Sequence, residues 1–153
     1  MKIFFGLILV IGCTYSGYFL SQKYTRRKDY YSNFYRFNKQ VLNEVSFGKK
    51  SIISILSEKK EKNEFYDLLE YSLNKKKVLL PEKIFNEDDA TLLNEYCSIL
   101  GSGDSLSQKR YLSGIDDRVE RILKECTETE KRYKNLYVKM GFFIGLMIFI
   151  III

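Results

Sequence analysis

The stretch KMGFFIGLMIFIIII, from Lys139 to Ile153, limits what this chain can fold into more than any other part of it. Left in water, contiguous apolar surface of this size aggregates or finds a partner. A helix that is apolar on every side needs lipid or a large protein around it, and with 153 residues this is a small chain. Lipid is the better reading, ahead of a helix buried in a globular core. The run from Met140 is short, because a bilayer span takes about 17–25 residues. Begun at Leu136, with Lys139 reaching back to the headgroups, the helix has 18 residues and reaches about 27 Å at ~1.5 Å per residue. Local thinning of the bilayer absorbs the remaining mismatch.

The other end repeats the pattern. Ile3 to Leu20 is a second uncharged stretch of 18 residues, with Lys2 before it and Lys23, Arg26, Arg27 and Lys28 after it. A secretory signal carries its positive charge ahead of the apolar run and has a small-residue cleavage site behind it; here the charge is weighted the other way, one residue before and four after, and no such site follows. Val10-Ile11-Gly12-Cys13 fits a loose lipoprotein cleavage pattern, but the apolar stretch before it is short and the positive charge after it heavy. The plainer reading of Cys13 is a small apolar residue of a membrane helix. Residues 21–40 hold six Lys and Arg, and residues 120–139 six more. The positive-inside rule then places the middle of the chain in the cytoplasm and both termini outside.

That middle, residues 21–139, is long enough for one domain with its own core. It carries 24 of the 25 basic residues and all 19 acidic ones, a net charge of +5. Such an excess suits an anionic membrane leaflet or an acidic protein partner. The charges are mixed along the chain rather than gathered in a stripe, which argues against nucleic acid. The chain has no histidine, so Ser-His-Asp and Cys-His catalysis, histidine zinc sites and histidine pH switching are excluded. Cys13, Cys97 and Cys126 are odd in number and far apart, as in a reducing compartment rather than a disulfide framework or metal site. The glycines of GSGDS, residues 101–105, lack the lysine and preceding apolar strand of a phosphate loop. Asp88 with Asp89, and Asp116 with Asp117, are adjacent acids that point to different helix faces, read here as surface or first-turn charge. No active site and no cofactor is expected.

Helical periods dominate the middle. Tyr24, Tyr31, Phe34, Tyr35, Phe37, Leu42 and Val45 form an aromatic stripe at mixed three- and four-residue steps, so the first membrane helix is predicted to run on past the bilayer. A short helix carries Ile52, Ile53, Ile55 and Leu56, and another Phe65, Leu68, Leu69 and Leu73, before Pro81 turns the chain. A further helix opens on Glu87, Asp88 and Asp89, carries Leu92, Leu93, Tyr96, Ile99 and Leu100, and closes at Gly101. The last helix starts from Asp104 as N-cap. Along it Gln108, Leu112, Ile115, Val119, Ile122, Cys126, Thr129, Tyr133, Leu136 and Met140 form an unbroken heptad seam. Because the chain has other apolar helices to pack on, an antiparallel bundle is preferred over a coiled-coil dimer. The expected fold is all-α: an antiparallel helical bundle flanked by N- and C-terminal transmembrane helices. The expected divisions are a membrane helix over 1–20, a bundle over 21–138 and a membrane helix over 139–153.

Laid in order, these pieces resemble the stage III sporulation protein AB family, and through it the F-type domain of type II secretion platforms. The likeness rests on Gly17-Tyr18, on VLNEVSFGKKSIISIL at 41–56, on LGSGDSLSQ at 100–108, and on Tyr137 to Gly141 followed by Gly145 and aliphatics. Gly103 stands where the family tends to have serine, and Lys49-Lys50-Ser51 replaces its threonine-proline. The resemblance implies a non-enzymatic platform in the mother-cell membrane around the forespore, part of the channel between the two. It also implies a secretion-type ATPase partner similar to stage III sporulation protein AA, other channel proteins, and a possible homo-oligomer. Candidate contacts or caps are Glu44, Gly48, Gly101, Asp104 and Gln108. The plain alternatives are a surface acid for Glu44, a cap for Asp104 and the start of the seam for Gln108. A rival from another class is a small membrane enzyme or lipid-binding protein using Asp89, Asp116 or Asp117 at the inner leaflet.

Overall fold

The computed structural model describes residues 2–47, 63–75, 80–81, 84–100 and 105–152. Among these residues every regular element is a helix: α1 (Lys2–Phe47), α2 (Glu64–Lys75), α3 (Glu87–Leu100) and α4 (Ser105–Ile152). The predicted helix at 52–56 lies outside the described residues, as do Val45's side chain, Gly48, Gly101 and Asp104. The chain divides into two units, Met1–Lys28 with Glu125–Ile153, and Asp29–Lys124.

The first unit is a hairpin of two antiparallel helical segments. Both long helices are long and apolar enough to cross a membrane, and only 11% of each apolar window is buried by protein. Phe4, Phe5, Ile11, Phe19, Phe143, Met147 and Ile150 all lie more than half exposed. A helix pair this small cannot cover its own apolar surface, so lipid has to. Within the segments the hydroxyls bond to their own helix: Thr14 donates to the Val10 carbonyl at 2.8 Å and Ser21 to that of Tyr18 at 2.7 Å. In hydrocarbon an unbonded hydroxyl has no water to turn to.

The second unit is a helical bundle with an aromatic core. Tyr30, Phe34, Phe37 and Val41 repeat at steps of four, three and four along α1, all buried. They meet Phe65, Tyr66 and Leu69 of α2, Leu92, Leu93 and Tyr96 of α3, and Leu112, Ile115 and Val119 of α4, which are buried as well. Phe34 lies among them, with its ring 4.7 Å from that of Tyr96 and 5.3 Å from that of Phe65. Edge-on and offset rings of this kind add to the area they bury. The stripe read from sequence took Leu42 for its neighbour Val41, missed Tyr30 beside Tyr31, and added Tyr35 beside Phe34. Tyr30 and Val41 are core, whereas Tyr35 and Leu42 are only half-buried.

Local chemistry sets the helix starts. Asn63 accepts the Phe65 N–H on its side chain at 3.0 Å, capping α2. Asn86 caps α3 from the backbone side, and Asp89 reaches back to accept the Asn86 N–H at 2.8 Å, the reciprocal half of a capping box. Pro81 accepts two turn hydrogen bonds, from Ile84 at 3.0 Å and Phe85 at 3.1 Å, just before that start.

Candidate functional site

In the hairpin unit the two helices touch backbone to backbone, and glycines permit it. A Cβ on Gly17 would overlap the Tyr137 carbonyl oxygen, one on Gly141 would stand 2.6 Å from that of Cys13, and one on Gly145 2.8 Å from the Val10 Cα. No side chain fits these places without moving backbone. Gly141 and Gly145 form a small-xxx-small step, which lets membrane helices approach closely where no hydrophobic force drives them together. The buried positions of α4 in this unit are Cys126, Glu130, Gly141 and Gly145. The heptad seam therefore fails here. Leu136 is 46% exposed and Met140 51%. Glu130 and Gly141 are 11 residues apart, the repeat of a nearly straight helix, whereas a strict heptad drifts by about 20° per repeat from that path.

Above the glycines lies a polar boundary. Tyr24 and Tyr133 stack with centroids 4.6 Å apart, and Lys134 lies over the Tyr18 ring at 5.7 Å. Rings with wet edges and cations over their faces suit the headgroup level. Glu130, 8% exposed, accepts from the Thr25 hydroxyl at 3.0 Å and pairs with Lys28 at 3.2 Å; Lys134 sits farther off at 3.9 Å. Burial raises its carboxyl's pKa, but the hydrogen bonds from Lys28 and Thr25 outweigh burial and hold it below the usual carboxylate value.

The bundle unit has two buried polar pins: Asp116 corrects the reading of its pair as surface charge, and Asp89 is a first-turn acid, as expected, but turned inward. Asp116, 6% exposed, accepts from the Asn38 amide at 3.0 Å and pairs with Lys39 at 2.7 Å. Asn38 is fully buried and donates its second N–H to the Leu112 carbonyl at 3.1 Å, tying α1 to α4. Asp89, 4% exposed, accepts from the Tyr31 hydroxyl as well as from the Asn86 N–H. Asp88 and Asp117 do face solvent. One acid of each pair points inward, where an unpaired carboxylate is too costly to keep, so partners were placed around it. Every oxygen of Asp89 and Asp116 is thereby engaged, one Asp89 oxygen in capping its own helix and the other three in holding helices together. Burial also pushes the phenols of Tyr30 and Tyr96 well above their usual range.

A family model described as stage III sporulation protein AB matches residues 54–153, which is 100 of the 153 residues. The chain belongs to the stage III sporulation protein AB family. Its role is therefore sporulation-related, and its two long apolar helices associate it with a membrane. No curated protein and no solved structure matches the chain.

The family match takes in α2, α3 and α4. Of the residues singled out from sequence, Gln108 lies in this span and its amide donates to the Ile99 carbonyl at 3.2 Å, fastening the start of α4 to the end of α3. Gly101 and Asp104 fall inside the match but outside the described residues. Glu44 is half-buried near the end of α1, before the matched span; Gly48 precedes the span too and is not described. Among the described residues no group of three or more His, Cys, Asp or Glu is placed to hold a metal ion. Sequence reasoning passed over Glu130, Asn38 and Lys39 as linked groups. Only an acid or amide falling on a helix's apolar face marks such positions, and the heptad register assumed for α4 put Glu130 off that face.

Proposed function

We propose that this chain is a non-enzymatic platform component of the channel between mother cell and forespore, with its bundle in the cytoplasm docking a secretion-type ATPase. The observation that carries the reading is the family match over residues 54–153, which spans three helices of the chain. Charge supports the orientation: six Lys and Arg lie in residues 21–40 and six in 120–139, on the bundle side of both apolar stretches. The aromatic core and the buried Asn38–Asp116 and Tyr31–Asp89 pins favour a bundle that keeps its shape when a partner pulls on it. The partner is an ATPase similar to stage III sporulation protein AA. Purification of the full chain from sporulating cells in mild detergent is expected to bring that ATPase with it. Recovery of extracytoplasmic channel proteins alone defeats the docking claim. The rival, catalysis by bundle carboxylates, gains nothing from Asp89 and Asp116, whose oxygens already hold the fold.

A further inference from the structure

On the bundle unit a groove of about 540 Å³ runs between α3 and the first turns of α4, lined by Glu95 on one side and by Arg110, Tyr111, Gly114, Ile115 and Arg118 on the other. Gly114 is the unexpected residue. Glycine weakens a helix interior relative to alanine, and at Gly17, Gly141 and Gly145 a touching backbone accounts for it. At Gly114, as at Gly12 in the apolar stretch of α1, no described residue lies within 4 Å of where a Cβ would stand. Among the described residues no packing calls for a glycine at 114; its effect is a notch open to the outside. Tyr111, 40% exposed, and Ile115 flank that notch and make it apolar.

The rim is charged. Arg110 and Arg118 stand one turn to either side of Gly114 on the same helix face, about 12 Å apart along the axis at ~1.5 Å per residue. Arg118 meets Glu95 at 3.4 Å with both side chains 43% exposed, a surface pair that holds little energy and is readily exchanged. Among the described residues Arg110 has no ion-pair partner. The groove thus presents two guanidinium forks against one carboxylate, with an apolar notch midway.

We infer that this groove docks an acidic amphipathic helix from a protein partner. Carboxylates two turns apart on that helix take Arg110 and Arg118, one of them in place of Glu95, and guanidinium suits such two-pronged capture. A bulky apolar side chain between them enters the notch beside Tyr111 and Ile115, as anchors do when a helix lies in a groove. An anionic membrane surface attracts the same arginines but has nothing to fill the notch. The inference rests on the reading of the bundle as a docking platform, not on which protein docks.

Photocrosslinking tests it. p-Benzoylphenylalanine replaces Tyr111 in the full chain, and separately Glu70, which is exposed and does not line the groove; both are irradiated in sporulating cells and the adducts sequenced by mass spectrometry. The expected adduct at 111 is a net-acidic protein segment, at least fivefold above position 70. It falls at least fivefold with Arg110→Glu plus Arg118→Glu, and likewise with Gly114→Trp, which fills open space while the circular dichroism of the purified chain stays unchanged. Adducts no more frequent at 111 than at 70 overturn the inference. So do adducts only to lipid or to a second copy of this chain, or adducts indifferent to both variants. An acidic segment from a protein other than the ATPase keeps the groove and removes the ATPase reading. Full ATPase recovery by the double arginine variant, with no acidic adduct at 111, does the reverse.

Discussion

Glu130 is a carboxylate held between two helices at the edge of the apolar hairpin, and its protonation bears directly on that hairpin's stability. Burial raises its pKa, the Lys28 and Thr25 contacts lower it more, and the folded value ends below the unfolded 4.5. A carboxyl depressed on folding adds stability that is complete above the unfolded value and fades as pH falls through the folded one. Glu130→Gln is therefore expected to lose about 1–3 kcal/mol at pH 7, a deficit that narrows below about pH 4.5. Thermal unfolding in detergent at several pH values measures it, and a deficit that stays constant into acid contradicts the assignment. Glycine gives a second contrast. Gly114→Ala meets nothing and should gain about 0.5–1 kcal/mol. Gly141→Ala drives a methyl to 2.6 Å from the Cys13 carbonyl oxygen and should lose about 1–3 kcal/mol as backbone shifts. Equal responses at the two sites in the same unfolding assay rule out the packing difference.

At the scale of helices, much was legible in the sequence and the misses have one cause. Apolar period placed α2, α3 and both long helices, because Phe65, Leu69, Leu92, Leu93 and Tyr96 can only be hidden on one face. What period does not fix is the edge of a long helix's buried face: one residue is 100°, so Leu42 was read in place of its neighbour Val41, while Tyr30 beside Tyr31 was missed and Tyr35 beside Phe34 was added. In α4 a heptad and an 11-residue repeat agree for a turn or two and then part, which is how Leu136 and Met140 came to be read as seam while Glu130 and Gly141 carry the contact. Buried acids were illegible for a related reason: a doublet such as Asp116-Asp117 tells that one acid faces inward only when the rotation is known. The corrected register is testable by oxidation. A Cβ at position 145 would lie 3.3 Å from the Cys13 Cβ, and the small backbone shift that a side chain there forces widens this toward the disulfide range of about 3.5–4.5 Å. Gly145→Cys should therefore crosslink to Cys13 within one chain on mild oxidation in detergent, seen as a mass loss of about 2 Da and a gel shift reversed by reductant. Met147→Cys, 62% exposed, should not. Crosslinking at 147 and none at 145 would reject the register.

For the whole molecule the decisive question is which side of the membrane the bundle occupies, because that fixes the partners it can reach. The basic residues flanking both apolar stretches argue for the cytoplasm, and cysteine chemistry offers a direct readout once the native thiols are taken into account. Cys126 is buried. Burial pushes the Cys97 thiol up to about 11, so near pH 7 it is almost wholly protonated and reacts slowly, since the thiolate is the nucleophile. Native Cys97 is thus a poor reporter, and its silence toward a maleimide in intact cells carries no topological meaning. Arg121 is exposed in the bundle unit, so a cysteine there titrates near an ordinary ~8.5 and reacts far faster. With Arg121→Cys in a Cys97→Ala background, a membrane-impermeant maleimide should label only after the cells are permeabilised. Labelling to completion in intact cells would put the bundle, with its groove, on the outer side, and an ATPase that needs cytoplasmic nucleotide could then not be what docks there.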